Sequence, residues 1–181
     1  MEFQRGDFVT PHSGVWEQLV IPTLPEVGRR WLEIGSLEGR SACWVLDNVI
    51  DDDGELVCVD PWYGEGTTRN ERTFDYQTAG RATKVKSTSA AFLRKDTSTY
   101  HVIYVDGSHD APNVLEDAVL AWPRLAVGGV MMFDDYRFHH PAGVAGKVSP
   151  GVAIDGFLAA YATRLTVLHK SYQVIVQKRR R

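Results

Sequence analysis

The sequence predicts one α/β domain built on a mostly parallel, seven-stranded sheet, and three observations carry that expectation. Short apolar runs alternate with helix-like segments, an order that calls for parallel strands joined by crossover helices. Glycines and prolines fall singly or in pairs between these segments, as turn punctuation, with no internal repeat, low-complexity stretch or linker. A length of 181 residues, 44% of them hydrophobic, suits a single domain over residues 1–181 with a sizeable core.

Taken in order, Val15, Trp16 and Leu19 mark the apolar face of a short helix within residues 1–26, a segment placed to lid a ligand site. Strands are predicted over 30–34, 56–59, 83–86, 102–105 and 129–133, where the apolar runs are short and turn-bounded. The intervening helices are predicted over 40–50, 69–79, 89–94 and 111–122. The last of these is preceded by Asp110 as its cap and carries Pro112 in its first turn. Asp51-Asp52-Asp53-Gly54 makes a helix-to-strand turn. After a loop over 136–150, a helix over 152–162 leads into runs at 164–169 and 172–177, joined at Lys170-Ser171 as an antiparallel hairpin that closes the sheet.

Composition excludes several function classes. The longest apolar stretch, 125–133, is far short of the roughly 20 residues of a bilayer span, and residues 1–10 carry charges and no apolar signal core, so no membrane role is expected. A net charge of −3, from 20 Lys plus Arg against 23 Asp plus Glu, offers no broad surface for nucleic acid. Cys43 and Cys58 lie in apolar runs without metal-ligand spacing, which fits reduced thiols and a cytoplasmic setting. The run Lys178-Arg179-Arg180-Arg181 reads as a solvated tail.

Four predicted strands end on, or one residue before, an acid: Glu33, Asp60, Asp106 and Asp134. In a parallel sheet all four share the carboxyl edge, where ligands of open α/β sheets bind. A capping or turn role explains any one of them and explains four less well. The first turn, Glu33-Ile34-Gly35-Ser36-Leu37-Glu38-Gly39-Arg40-Ser41, spaces glycines four apart, which admits a ligand close to the backbone. Its acids would repel a diphosphate. Asp60 stands where an acid binds a ribose diol, so the expected ligand is a nucleoside carrying a cation rather than phosphates.

These residues resemble the class I S-adenosylmethionine-dependent methyltransferases, which have a Rossmann-like sheet with helices on both faces and a C-terminal antiparallel hairpin. Glu33-x-Gly35-x-x-x-Gly39 matches the first motif and Asp60 the second-strand acid. Within that class, Tyr104-Val105-Asp106-Gly107-Ser108-His109 and Phe133-Asp134-Asp135-Tyr136 resemble the divalent-metal-dependent O-methyltransferases, the group of catechol and macrolide-sugar enzymes. The resemblance implies that Asp106, Asp134 and Asp135 bind the metal and that His109 is the general base, the sugar-type residue at that position. It implies cofactor contacts from Glu33, Gly35, Ser36, Gly39, Ser41, Asp60, Trp62, Ser89 and Asp106. A more distant likeness points to a cephalosporin-hydroxylase-like branch of the same fold.

Carboxylates are hard ligands suited to Mg²⁺, and adjacent Asp134 and Asp135 need a cation because like charges repel. A histidine titrating near neutrality is suited to remove an acceptor proton. His139 and His140 are either substrate contacts or exposed loop residues; Trp31, Trp44 and Trp122 read as core. The expected function is therefore O-methylation of a hydroxyl on a small or glycosylated metabolite, with S-adenosylmethionine and Mg²⁺ as cofactors. The alternative is a catalytically silent cofactor-binding protein. Nucleic-acid methylation is disfavoured because no Asn-Pro-Pro-aromatic pattern follows the fourth strand. With so short an N-terminal cover, the pocket is either open or closed by a second copy in a homo-oligomer.

Overall fold

The computed structural model describes residues 2–4, 6–64, 67–141 and 146–180. Part of the predicted 136–150 loop and Arg181 of the basic run lie outside the described residues. Helix α1 (Thr10–Leu19) and a short 3-10 turn (Ile21–Thr23) lead into β1 (Arg30–Ile34). Then follow α2 (Arg40–Asn48), β2 (Glu55–Asp60), α3 (Thr67–Thr78), β3 (Thr83–Lys86), α4 (Ser89–Leu93), β4 (Tyr100–Val105), α5 (Ala111–Ala121) and β5 (Leu125–Phe133). Helix α6 (Pro150–Ala160) and the pair β6 (Leu165–Lys170) and β7 (Val174–Lys178) complete the chain.

The seven strands form one sheet in the order β3-β2-β1-β4-β5-β7-β6. Strands β1 to β5 run parallel, while β7 pairs antiparallel with both β5 and β6. The central strands are buried on both faces, which is why they read as nearly continuous apolar runs. Alternate residues enter two cores. Leu32, Ile34, Val57, Ile103 and Met131 meet α5 and α6 through Val114, Ala118 and Ile154. Trp31, Leu56, Val102 and Met132 meet α1, α2 and α3 through Trp16, Ala42, Val45 and Phe74. No helix among the described residues is long and apolar enough to cross a membrane.

Three local expectations need correction. Asp110 occupies the cap position of α5 without a side-chain capping bond; its Oδ1 accepts from the Val148 backbone N–H at 3.0 Å. It ties the segment before α6 to the start of α5, and the Ala111 N–H donating to the Val148 carbonyl at 2.8 Å reinforces that tie. Strand β5 begins four residues before the predicted start, with a register shift opposite Tyr100 and Val102 where the chain passes Gly128 and Gly129. The hairpin turn runs through Ser171, Tyr172 and Gln173, so β7 starts two residues late. The displaced residues are recruited to the carboxyl edge of the sheet, as described below.

Candidate active site

A cavity of about 610 Å³ opens at the carboxyl ends of β1, β2 and β4. Gly35, Asp60, Trp62 and Ser89, predicted as cofactor contacts, line it together with Gly107 and Ser108. Gly35 has φ +91°, and a Cβ there would stand 2.1 Å from the Asp106 carbonyl oxygen. Glycine is thus what allows the β1 loop to press against the end of β4. Asp60, Glu116 and Asp117 contribute carboxyls, and the described lining residues include no Lys or Arg. Such walls disfavour phosphate and suit an uncharged or cationic guest.

Asp60 does more than face the cavity. Its Oδ2 accepts from the Leu37 N–H at 3.0 Å and its Oδ1 from the Trp62 N–H at 2.8 Å, while Trp62 Nε1 donates to the Leu37 carbonyl at 2.8 Å. These three bonds staple the β1 and β2 loops together. Trp62 and Leu37 sit at φ +39° and +45°, a backbone conformation costly for bulky residues and common at ligand sites. The Trp62 ring is buried against Phe74, with centroids 5.0 Å apart, so only part of it borders the cavity.

A second, smaller pocket lies across the β1 loop, lined by Ser36, Ser41, Tyr104 and Asp106 with Phe8 and Val9 from the segment before α1. Helix α1 itself buries Trp16 against Trp31, Trp44 and Tyr104 and lines neither cavity. Glu33 lines neither cavity as well. It is fully buried and accepts from the Ser41 hydroxyl at 3.0 Å, and burial pushes its carboxyl up to about 7. Ser41, which lines the smaller pocket, links Glu33 to it. Gly39, at φ +82°, packs where a Cβ would lie 2.8 Å from the Phe74 ring.

The acids at the ends of β4 and β5 sit beside these pockets. One ligand atom each of Asp106, His109 and Asp135 lies within 4.8 Å of the others, a grouping able to hold a metal ion. Burial, then the charges of Asp134 and Asp135, drive the Asp106 carboxyl well above its ordinary range. His109 Nε2 lies 2.9 Å from Asp135 Oδ2, and this bond raises the imidazole pKa. Burial alone would raise Asp135, but the bonds from His109 and Tyr172 bring it below the usual carboxylate value.

Asp134 has other partners. Its Oδ2 accepts from Tyr104 OH and from Gln173 Nε2 at 3.2 Å, and its Oδ1 accepts from the Asp135 N–H at 2.7 Å. Asp135 adopts φ +58°, and that left-handed residue turns the two adjacent carboxyls apart. The β6–β7 turn serves both: Tyr172 OH donates to Asp135 Oδ1 at 2.7 Å, and the next residue, Gln173, donates to Asp134. Trp16 Nε1 in turn donates to Gln173 Oε1 at 2.8 Å. Asp134 is therefore held by protein donors and is not in the Asp106, His109 and Asp135 group. His139 and His140 stand outside it too, with His140 against Phe138, whose ring meets His109 edge-on.

Sequence reasoning missed Tyr104, Tyr172, Gln173 and Asp117. The first three had no local signal, because their partners are distant in sequence. Asp117 did have one: it falls on the buried stripe of α5 with Val114, Ala118 and Ala121, where an acid is out of place.

Residues 32–136, the span that builds the loops and acids just described, match the sequence profile of a methyltransferase domain. The chain belongs to the methyltransferase-domain family. The sequence-based resemblance to class I methyltransferases is thereby borne out, and solved structures agree on the fold of this methyltransferase-domain protein. TomG, the O-methyltransferase of tomaymycin synthesis from Streptomyces achromogenes, in complex with SAM, is 20% identical with a TM-score of 0.67, over 94% of this chain and 80% of that one. MycE, from the mycinamycin pathway, in complex with Mg, SAH and mycinamycin VI, is 18% identical with a TM-score of 0.70, over 97% of this chain and 51% of that one. A Clostridium thermocellum protein provisionally described as an rRNA-methylase is 10% identical with a TM-score of 0.71, over 98% of this chain and 99% of that one. No curated protein matches the sequence.

Proposed function

We propose that this methyltransferase-domain protein moves a methyl group from S-adenosylmethionine to a hydroxyl of a small or glycosylated metabolite, aided by a divalent cation, Mg²⁺ foremost. The observation that carries the reading is adjacency: the nucleoside-sized cavity is lined by Gly107 and Ser108, which stand in the chain between Asp106 and His109, and Asp106 itself lines the smaller pocket across the β1 loop. The likeness to TomG with SAM and to MycE with Mg and SAH supports it. The donor set fits the metal, because hard carboxylate oxygens of Asp106 and Asp135 converge, with His109 beside them, and the Asp106 carboxyl is crowded by two other acids.

Asp60 and the Gly35 loop would seat the nucleoside, with Ser89 at the base and Ser36, Ser41 and Glu33 beneath the amino-acid end. Asp106 and Asp135 would hold the cation, while Asp134 keeps Asp135 in place from behind. When bound, the cation would supply charge that eases loss of the acceptor's hydroxyl proton. His109 would take that proton at Nε2, which requires its present bond to Asp135 to be exchanged for the acceptor's hydroxyl. The acceptor oxygen would then attack the methyl carbon in line, forming the O–C bond as the C–S bond breaks with its electron pair left on sulfur, which yields S-adenosylhomocysteine.

Calorimetric titration with S-adenosylhomocysteine tests the cofactor, and methyl transfer to a panel of hydroxyl acceptors with Mg²⁺ or a chelator tests the chemistry. Micromolar binding and turnover that vanishes with chelator or in His109→Ala are expected. Turnover undiminished by rigorous metal removal would sink the ligand assignment. Because His109 Nε2 is already engaged by Asp135, the silent cofactor-binding protein is the second reading. Binding without transfer to any acceptor would favour it.

A further inference from the structure

Helix α5 presents Asn113, Glu116 and Asp117 to the large cavity, at i, i+3 and i+4 spacing on one face. The three residues are differently employed. Asn113 donates through Nδ2 to the Ser108 hydroxyl at 3.0 Å, and Glu116 reaches outward to Arg94 at 2.6 Å. Asp117 is 4% exposed, borders the cavity from within the buried stripe, and has the Ser89 hydroxyl beside it. Its Oδ2 lies beneath Gly107, near enough that a Cβ there would stand 3.8 Å away. Among the described residues no ion pair answers this carboxyl, and burial pushes its pKa up to about 6.

The position within the cavity suggests what the carboxyl is for. Asp60 lines the cavity from the end of β2, where the cofactor reading puts the ribose, and the start of α4 and α5 line it through Ser89 and Asp117. A planar base lying between Asp60 and these two residues would turn its edge toward Ser89 and Asp117. Resting on the cofactor reading above, we propose that Asp117 is the specificity-determining residue for the base, accepting a hydrogen bond from the 6-amino group of adenine. An acceptor-only carboxylate at that place favours a purine with a donor at position 6 and leaves a base without one facing an unpaired buried group.

The test is a cycle of two ligands and two proteins, read by calorimetry. The ligands are S-adenosylhomocysteine and its analogue lacking the 6-amino group; the proteins are wild type and Asp117→Ala, with Asp117→Asn as the variant that keeps the side-chain shape. Wild type is expected to prefer S-adenosylhomocysteine about 10- to 100-fold, the range for a hydrogen bond to a charged group. In Asp117→Ala the preference should fall to within about threefold, with Asp117→Asn between the two. A purely structural role, such as holding Ser89, would weaken both ligands alike and leave the preference intact, which overturns the proposal. Equal affinities in wild type overturn it as well while leaving the cofactor reading standing. Failure of wild type to bind either ligand removes that reading and this proposal together.

Discussion

Asp134 and Asp135 are adjacent carboxyls with opposite surroundings, and their replacement should separate stability from ligand binding. Removing the Asp134 side chain takes the acceptor from Tyr104 OH and from Gln173 Nε2, both on buried residues, and leaves Gln173 Nε2 its longer bond to Tyr104 OH at 3.3 Å. Asp134→Ala is expected to cost about 2–4 kcal/mol in urea unfolding, the penalty of unpaired buried polar groups in a network. Asp135→Ala should cost less, since its partners His109 and Tyr172 are exposed, while abolishing Mn²⁺ binding measured by paramagnetic titration. Equal stability losses would contradict the division of labour. Glu33 gives a pH signature. Its carboxyl is raised by burial from 4.5 to about 7, so between those values the folded chain holds a proton that the unfolded chain has lost. Wild-type stability from this group therefore falls as pH rises through that window. The stability of Glu33→Gln relative to wild type should improve from pH 5 to pH 8, by on the order of a few kcal/mol at most. A difference that stays flat across the window would show that Glu33 ionises freely. At this scale Glu33, Asp60 and Asp106 were legible in the sequence because strand ends announce themselves. Asp117 was hidden in a pattern that looked apolar enough to pass.

Secondary elements were legible where periodicity decided them. Strands β1 and β3 begin and end where their apolar runs do, and the helices fall within about two residues of their capping and turn signals. The β6–β7 turn was misplaced because Tyr172 and Gln173 look like strand residues on local preference, yet side-chain bonds to Asp135 and Asp134 draw them out of the ladder. Asp110 failed as a cap for a similar reason, since Val148 competes for its carboxylate. Helix α1 enters the same network through Trp16. Trp16→Phe keeps an aromatic ring in the core but leaves Gln173 Oε1 without its donor. The expected loss is about 1–3 kcal/mol, measured by urea unfolding, with affinity for S-adenosylhomocysteine within about twofold of wild type because α1 lines neither pocket. A large loss of affinity would instead make α1 part of the cofactor site.

For the whole molecule, alternation of strands and helices was enough to foretell a parallel sheet with an antiparallel close. The strand order, which places β1 and β4 side by side at the centre, came from the structure. That centre is where the cavity opens, as expected at the crevice of an open α/β sheet. Ligand binding there should stabilise the entire fold by mass action. At one hundred times its dissociation constant, S-adenosylhomocysteine should add about 2.7 kcal/mol, raising Tm by about 5–10 °C for a domain of this size. A thermal scan that shows no rise at that ligand concentration would mean that the folded chain does not bind S-adenosylhomocysteine.

The hydrogen bond from Trp16 to Gln173 spans 157 residues, and Gln173 holds Asp134 across another 39. During synthesis, the ribosome delivers the carboxyl pair of β5 about forty residues before the turn that fixes it. A nascent chain paused in α6 would already have Asp134 and Asp135 without the donors that turn them apart, two crowded acids at an open sheet edge. The acidic corner at the ends of β4 and β5 thus gains its last donors only once the turn before β7 has been translated.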